Sequence, residues 1–136
     1  MTVLLVDAAN VVGARPDGWW RDRAGATERL LGRLATLPGR PLTSPSGAPF
    51  RVGEVIAVVE GRARDAAAPD GVRVVRAAGS GDDALAATAA DLAAAGAPPL
   101  VVTADRGLRA RLPAGASVAG PGWLLGHLEH GSGDGG

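Results

Sequence analysis

Short apolar runs rich in β-branched residues alternate along the chain with stretches rich in Ala and Leu. A short run that is hydrophobic at nearly every position is typical of a strand buried on both faces of a sheet. Strands that alternate with helices favour right-handed crossovers and therefore parallel pairing. The sequence thus predicts an α/β fold with a parallel central sheet of about five strands. The predicted strands are Val3–Val6, Val52–Glu60, Val72–Val75, Leu100–Thr103 and Ser117–Ala119.

Helices are predicted where apolar residues recur at helical spacing. The clearest begins at Ser80 or Gly81 and ends near Ala95, with Leu85 and Leu92 on the side expected to face the sheet. Less regular helices are predicted at Gly25–Leu37, Asp105–Arg111 and Trp123–Leu128. Residues 41–49 are rich in Pro, Ser and Gly, which predicts a mobile loop.

The length of 136 residues suits one domain. We expect residues 1–130 to form it and the Gly-rich residues 131–136 to form a disordered tail. No apolar run approaches the roughly 20 residues that span a bilayer, so no membrane association is expected. The opening segment lacks the basic residues of a secretion signal, and the chain has no cysteine. Together these features indicate a cytoplasmic protein.

The charges balance, with 14 basic residues, 14 acidic residues and a formal net charge of +0 at pH 7. Neutrality argues against a protein that coats nucleic acid non-specifically, because such binding depends on the summed neutralisation of phosphates. It leaves room for an enzyme with a local basic patch.

Acidic residues follow several of the predicted strands. Asp7 follows the first strand, Glu60 ends the second, Asp105 comes just after the fourth, and Asp82 and Asp83 open the long helix. In an open parallel sheet the carboxyl ends of the strands form the edge where ligands bind. Carboxylates gathered there repel one another unless a cation neutralises them, and hard oxygen ligands at an open edge suit Mg²⁺ or Mn²⁺. The sequence therefore predicts a divalent metal site at this edge.

Each acid also has a structural interpretation. Ser80 with Asp83 matches a helix capping box, Asp7 could be a turn residue, and Asp105 could simply begin a helix. Glu60 is expected to be solvated or paired with Arg62 or Arg64. The convergence of Asp7, Asp83 and Asp105 on one predicted edge favours the functional interpretation.

Four segments resemble the PIN-like nucleases, especially their NYN branch. They are LLVDAAN at 4–10, similar to a strand followed by "DxxN"; DALAATA at 83–89, similar to the helix with the central aspartate; VVTADRGL at 101–108, similar to "VTSDRGL"; and GSGDD at 79–83, as in NYN proteins related to the YacP group. Their order and spacing agree with the family. The resemblance implies a three-layer Rossmann-like fold and metal-dependent cleavage of RNA by an acidic cluster.

The resemblance also implies roles for individual residues. Asp7, Asp83 and Asp105 would be the catalytic, metal-binding acids, and Asp82 would be an outer or second-metal acid. Asn10 would orient a ligand or water. No further acid follows closely after Asp105, where many relatives have one.

A segment rich in Arg and Trp follows the first acidic segment. Arg15, Arg21 and Arg23 are candidates for phosphate contacts. One of the two tryptophans, at 19 and 20, is a candidate base-stacking platform, although both could instead close the core. Arg106 and Ser80 complete the set of substrate-binding candidates.

These observations favour a metal-dependent endoribonuclease that uses Mg²⁺ or Mn²⁺ and takes RNA as its partner. A nucleotide phosphohydrolase with the same metal chemistry is a second hypothesis. A non-catalytic RNA-binding or interaction module with a degenerate site is a third. Pairing into a homodimer is left open, since no feature of the sequence identifies an interface.

Overall fold

The computed structural model describes residues 1–14, 18 and 21–134, with only the backbone for Arg62 and residues 130–134. Within this part of the chain, six strands form the sheet. They are β1 (Thr2–Asp7), β2 (Pro41–Thr43), β3 (Pro49–Val59), β4 (Arg73–Arg76), β5 (Leu100–Val102) and β6 (Ser117–Ala119).

Five of these strands are parallel, in the order β4-β3-β1-β5-β6. Strand order reverses around β1, as in Rossmann-like sheets, so β1 is the central strand. The five predicted strands are therefore confirmed, with boundaries that differ by up to three residues. Residues of β1 alternate between the two faces, so Leu4 and Val6 belong to one core cluster and Leu5 to the other.

The sixth strand, β2, pairs antiparallel with the beginning of β3. The prediction of a wholly parallel sheet is wrong in this respect, and so is the prediction that residues 41–49 form only a loop. Their Pro, Ser and Gly do form a turn, in which Gly47 adopts a φ of +91° that favours glycine. A strand of three residues at the sheet edge is too short to show a hydrophobic period, and it tolerates a proline.

Helices cover both faces of the sheet. The helices are α1 (Ala8–Gly13), α2 (Arg23–Leu34), α3 (Gly81–Ala94), α4 (Arg106–Arg109) and α5 (Pro121–Asp134). Helices α1, α2 and α5 pack on the face with Leu4 and Val6, whereas α3 and α4 pack on the face with Leu5. This arrangement is the expected three-layer Rossmann-like α/β fold.

Two helices differ from the sequence analysis. Residues 8–13, expected to be a loop after the first strand, form α1, whose Val11 and Val12 are buried. Helix α5 extends through residues 131–134, which the sequence assigned to a tail, and residues 135–136 lie outside the described residues. The division into a domain of 1–130 and a tail stays a prediction.

Throughout the described ranges, no helix is long and apolar enough to span a membrane.

Candidate functional site

Asp7 ends the central strand and lies almost wholly inside the protein, with 6% of its surface exposed. Its Oδ1 accepts a hydrogen bond from the Asn10 amide at 3.3 Å, which caps α1. Its Oδ2 accepts a hydrogen bond from the Thr103 hydroxyl at 3.0 Å. A buried carboxylate needs such donors, because burial without partners is costly. The two donors hold Asp7 in place at the carboxyl edge of the sheet.

Thr103 connects Asp7 to the segment after β5. Its hydroxyl oxygen also accepts a hydrogen bond from the Asp105 amide at 3.1 Å. The Asn10 side chain adds a second connection, since its Oδ1 accepts from the Ala104 amide at 2.9 Å. The loop that carries Asp105 is thus tied to β1 and α1. Thr103 was predicted only as the end of a strand, because its contact with Asp7, 96 residues away, is not visible in the sequence.

Asp82 and Asp105 come together at this edge. The charge of Asp105 and a hydrogen bond between the two carboxyl groups both act on the pKa of Asp82. Partial burial, followed by the charge of Asp105, raises the pKa of Asp82. Hydrogen bonding from the Leu108 amide, at 3.0 Å, lowers the pKa of Asp105. The pKa values of the two acids are therefore shifted in opposite directions.

Burial raises the pKa of Asp7, and the negative charges of Asp82 and Glu60 raise it further. The hydrogen bonds from Thr103 and Asn10 act in the opposite direction, and the net shift is upward. Four acids from four segments therefore influence one another at one edge: Asp7, Glu60, Asp82 and Asp105.

Asp83 points elsewhere. Its Oδ1 forms an ion pair with Arg111 at 2.8 Å, and 72% of its side chain is exposed. Ser80 is the N-cap of α3, because its hydroxyl accepts from the Asp82 amide at 3.2 Å. The structure thus gives Ser80 the structural role that the capping pattern predicted, and it brings Asp82 into the acidic group in the position expected for Asp83.

Glu60 lies at the end of its strand as predicted, but its side chain has a backbone amide as partner, whereas Arg62 or Arg64 was expected. Glu60 follows β3, and its Oε2 accepts a hydrogen bond from the Gly81 amide at the beginning of α3. A Cβ on Gly81 would lie 2.6 Å from that oxygen, so this approach requires a glycine. The contact joins the end of β3 to the helix that carries Asp82. Glycine in GSGDD was visible in the sequence, but its partner 21 residues away was not.

The remaining candidates are dispersed. Arg21 and Arg106 are exposed, and Arg23 begins α2 close to Glu60. Arg15 and the two tryptophans at 19 and 20 lie outside the described residues. The substrate-binding roles of these residues and of Asn10 stay predictions.

Within residues 1–14, 18 and 21–134, no three acidic or His side chains lie close enough together to enclose a metal ion. Mg²⁺ does not require such an enclosure, since it typically keeps several waters and takes one or two carboxylates together with substrate phosphate. The carboxyl groups of Asp82 and Asp105 lie close enough to interact, so both could contribute oxygen ligands to one divalent cation. The donor chemistry of this pair therefore fits Mg²⁺ or Mn²⁺.

We predict that Thr103→Val lowers the free energy of unfolding by about 1–3 kcal/mol, because it leaves buried polar groups of Asp7 and Asp105 without a partner. Thr103→Ser keeps the hydroxyl and should cost about 0.8 kcal/mol, the value of one buried methylene-sized group. Urea denaturation at pH 7 measures both. An equal loss in the two variants would show that the hydroxyl has no special role.

We predict that Asp7→Asn raises the melting temperature at pH 7 in EDTA, by about 3–5 °C for each kcal/mol gained. Because the pKa of Asp7 is raised in the folded protein, its carboxyl group contributes to stability fully only below the unfolded pKa of 3.8. That contribution is lost as the pH rises through the folded pKa. The difference between variant and wild type should therefore shrink as the pH falls towards 3.8. Asp91→Asn, at an exposed position on α3, is the control that should change little. A gain that stays constant with pH would contradict the prediction.

The fold and these contacts can be compared with known proteins. No protein-family model and no curated protein matches the chain. Two crystal structures of Rae1 (YacP) from Bacillus subtilis do. One has a TM-score of 0.71 at 20% identity, with 96% of this chain and 75% of that chain covered. The other, of a point variant, has a TM-score of 0.65 at 20% identity, with 96% and 76% covered. The resemblance to YacP-like proteins is thus confirmed for the fold, and this chain shares the Rossmann-like α/β fold of Rae1 (YacP).

Proposed function

We propose that this protein is a metal-dependent endoribonuclease that hydrolyses RNA phosphodiesters at the carboxyl edge of its sheet. The observation that carries the proposal is that Asp82 interacts both with Asp7 and with Asp105 at the edge where the strand order reverses. Acids whose pKa values are shifted by one another at such an edge favour a functional site. The fold shared with Rae1 (YacP) and the motif resemblance support the same conclusion.

Mg²⁺ or Mn²⁺ would be held by Asp82 and Asp105, with Asp7 beneath them. When bound, such an ion activates a water and stabilises the charge that develops on a phosphodiester under attack. The protein's own contribution is positional: Thr103 and Asn10 hold Asp7 and the Asp105 loop, and Glu60 holds the beginning of α3. The products would carry 5′-phosphate and 3′-hydroxyl ends, by analogy with the family that the motifs resemble.

Asp82 is a better metal ligand than Asp83 in this arrangement. The two residues are adjacent and chemically identical, but they leave the first turn of α3 in different directions. Asp82 contacts Asp105, whereas Asp83 is largely exposed and is neutralised by Arg111. A ligand role for Asp83 would require its ion pair with Arg111 to break.

RNA is the proposed substrate and the cytoplasm the proposed location. Arg23, Arg106 and Arg109 lie on α2 and α4, the helices next to the acids, and would contact phosphates on either side of the bond that is cut. A homodimer stays a prediction.

A non-catalytic RNA-binding module is the second candidate function. It is favoured by the absence, in the described part of the chain, of three acids that together enclose a metal. Such a module would bind RNA equally well with and without a divalent cation. The nucleotide phosphohydrolase hypothesis is tested by including mononucleotides among the substrates.

The experiment is to incubate the purified protein with end-labelled single-stranded and hairpin RNA, and with mononucleotides, in Mg²⁺, Mn²⁺ or EDTA. We predict metal-dependent cleavage of RNA. Asp82→Asn should lower the rate at least about a hundredfold, since changing even an outer partner of a metal ligand costs about 10- to 100-fold. Asp83→Asn, the matched variant next to it, should cost less than Asp82→Asn.

Cleavage that survives both Asp82→Asn and Asp105→Asn would contradict the proposed site. A greater loss in Asp83→Asn would show that Asp83 turns inwards and serves as the ligand. Binding of RNA that is indifferent to metal, with no cleavage of either RNA, would favour the binding module.

A further inference from the structure

Arg111 is a positive charge at the acidic edge of the sheet. It follows α4, and its amide donates a hydrogen bond to the Leu108 carbonyl at 2.9 Å. The Leu108 amide in turn donates to Oδ1 of Asp105 at 3.0 Å. Two hydrogen bonds thus connect Arg111 to Asp105 through a short stretch of backbone.

The guanidinium group of Arg111 reaches from this segment to the first turn of α3. Its Nη2 lies 2.8 Å from Oδ1 of Asp83, the residue next to Asp82. Partial burial and the charges of neighbouring acids raise the pKa of Asp82, and the positive charge of Arg111 opposes them. Arg111 therefore lies within electrostatic reach of Asp82 as well as in contact with Asp83.

The ion pair between Arg111 and Asp83 is open to solvent. The exposed fraction of the side chain is 48% for Arg111 and 72% for Asp83. Such pairs contribute little to the stability of a fold, because water and salt screen them. They can still fix the direction of a long side chain. An arginine carries five N–H donors, so one guanidinium can hold a carboxylate and a second anion at the same time.

The proposed function brings a phosphate, which is negatively charged, to an edge that carries several carboxylates. A fixed positive charge there offsets the repulsion between them. The planar guanidinium group also matches the spacing of two phosphate oxygens. We propose that Arg111 donates hydrogen bonds to the non-bridging oxygens of the phosphate that is attacked, and that Asp83 is a positioning residue that holds the guanidinium at this edge.

The inference rests on the proposed function and adds to it the group that binds the reacting phosphate. In the hydrolysis, water gives its oxygen to phosphorus and one proton to the 3′ oxygen that leaves, and its second proton passes to solvent. Charge is redistributed over the phosphate oxygens during this attack, and a donor already in place stabilises the transition state. Arg111 should therefore act mainly on the rate of the chemical step, and Asp83 should act through Arg111.

The cleavage test uses the full chain in excess over end-labelled RNA in Mg²⁺, so that a single turnover is measured. We predict that Arg111→Gln lowers the rate about a hundredfold, the effect of removing one such donor. Arg111→Lys keeps the charge but loses the planar fork, so its rate should lie between the two. Arg73→Gln is the matched control, because Arg73 forms an exposed ion pair with Glu54 at 3.7 Å, and it should change the rate little.

Two measurements separate these roles from a merely structural one. Asp83→Asn should slow cleavage about tenfold in the native background but have little further effect in Arg111→Gln, because residues that act together are not additive. The affinity for Mn²⁺, measured by calorimetry, should be unchanged or higher in Arg111→Gln, since a positive charge beside Asp82 is removed. Slower cleavage with a matching loss of Mn²⁺ affinity would show that Arg111 only supports the acids, and would overturn the inference.

Binding of inorganic phosphate tests the contact without cleavage. The ¹⁵N-labelled full chain is titrated with phosphate in Mg²⁺ and in EDTA, and the arginine Nε–H signals are followed by NMR. The signals of Arg111 and Arg73 are identified by their loss in Arg111→Gln and Arg73→Gln, and the spectra also report whether each variant is folded. We predict that phosphate shifts the Arg111 signal at a concentration at least about tenfold lower than the Arg73 signal, as expected for a hydrogen bond to a charged group.

Unchanged cleavage in Arg111→Gln would refute the inference and leave the nuclease proposal in place. A selective shift of the Arg111 signal in a protein that cuts no RNA would support the phosphate contact and refute the nuclease. If phosphate shifts the two arginine signals alike, or shifts neither, Arg111 does not bind the phosphate, whatever the protein cleaves.

Discussion

The Asp7 carboxylate at the end of the central strand is buried, and the hydrogen bonds that make its burial tolerable organise the whole edge of the sheet. The Thr103 hydroxyl donates to Asp7 and accepts from the Asp105 amide, so one side chain joins two acids from different strands. Asn10 extends the connection from α1 to Ala104. Because burial raises the pKa of Asp7, its ionised form costs stability at neutral pH.

Two adjacent acids at the beginning of α3, Asp82 and Asp83, make different contacts at this negatively charged edge. Asp82 points towards Asp105 and has a raised pKa, whereas Asp83 turns to Arg111 and is neutralised there. Glu60 accepts a hydrogen bond from the first residue of α3. Glu60 and Asp83 are thus engaged with Gly81 and Arg111, and Asp82 is the acid of α3 that interacts with Asp105.

Much of this could be predicted from the sequence. Continuous apolar runs identified the five parallel strands, and the rule that acids after such strands share one edge located Asp7 and Asp105. The sequence could not separate Asp82 from Asp83, because a helix rotates by about 100° per residue and the side that faces the edge depends on how α3 packs. It also could not find the contact between Glu60 and Gly81, which joins distant segments through the backbone of a glycine. Strand β2 was not predicted, because three residues at the edge of the sheet are too few to show the alternation of apolar and polar residues that identifies a strand.

The most direct test of the account is the position of a metal ion. Crystals of the protein soaked in Mn²⁺ would show the ion by its anomalous scattering. The account predicts a peak coordinated by Asp82 and Asp105, with Asp83 still paired with Arg111. A peak coordinated by Asp83, or no peak at this edge at millimolar Mn²⁺, would contradict it.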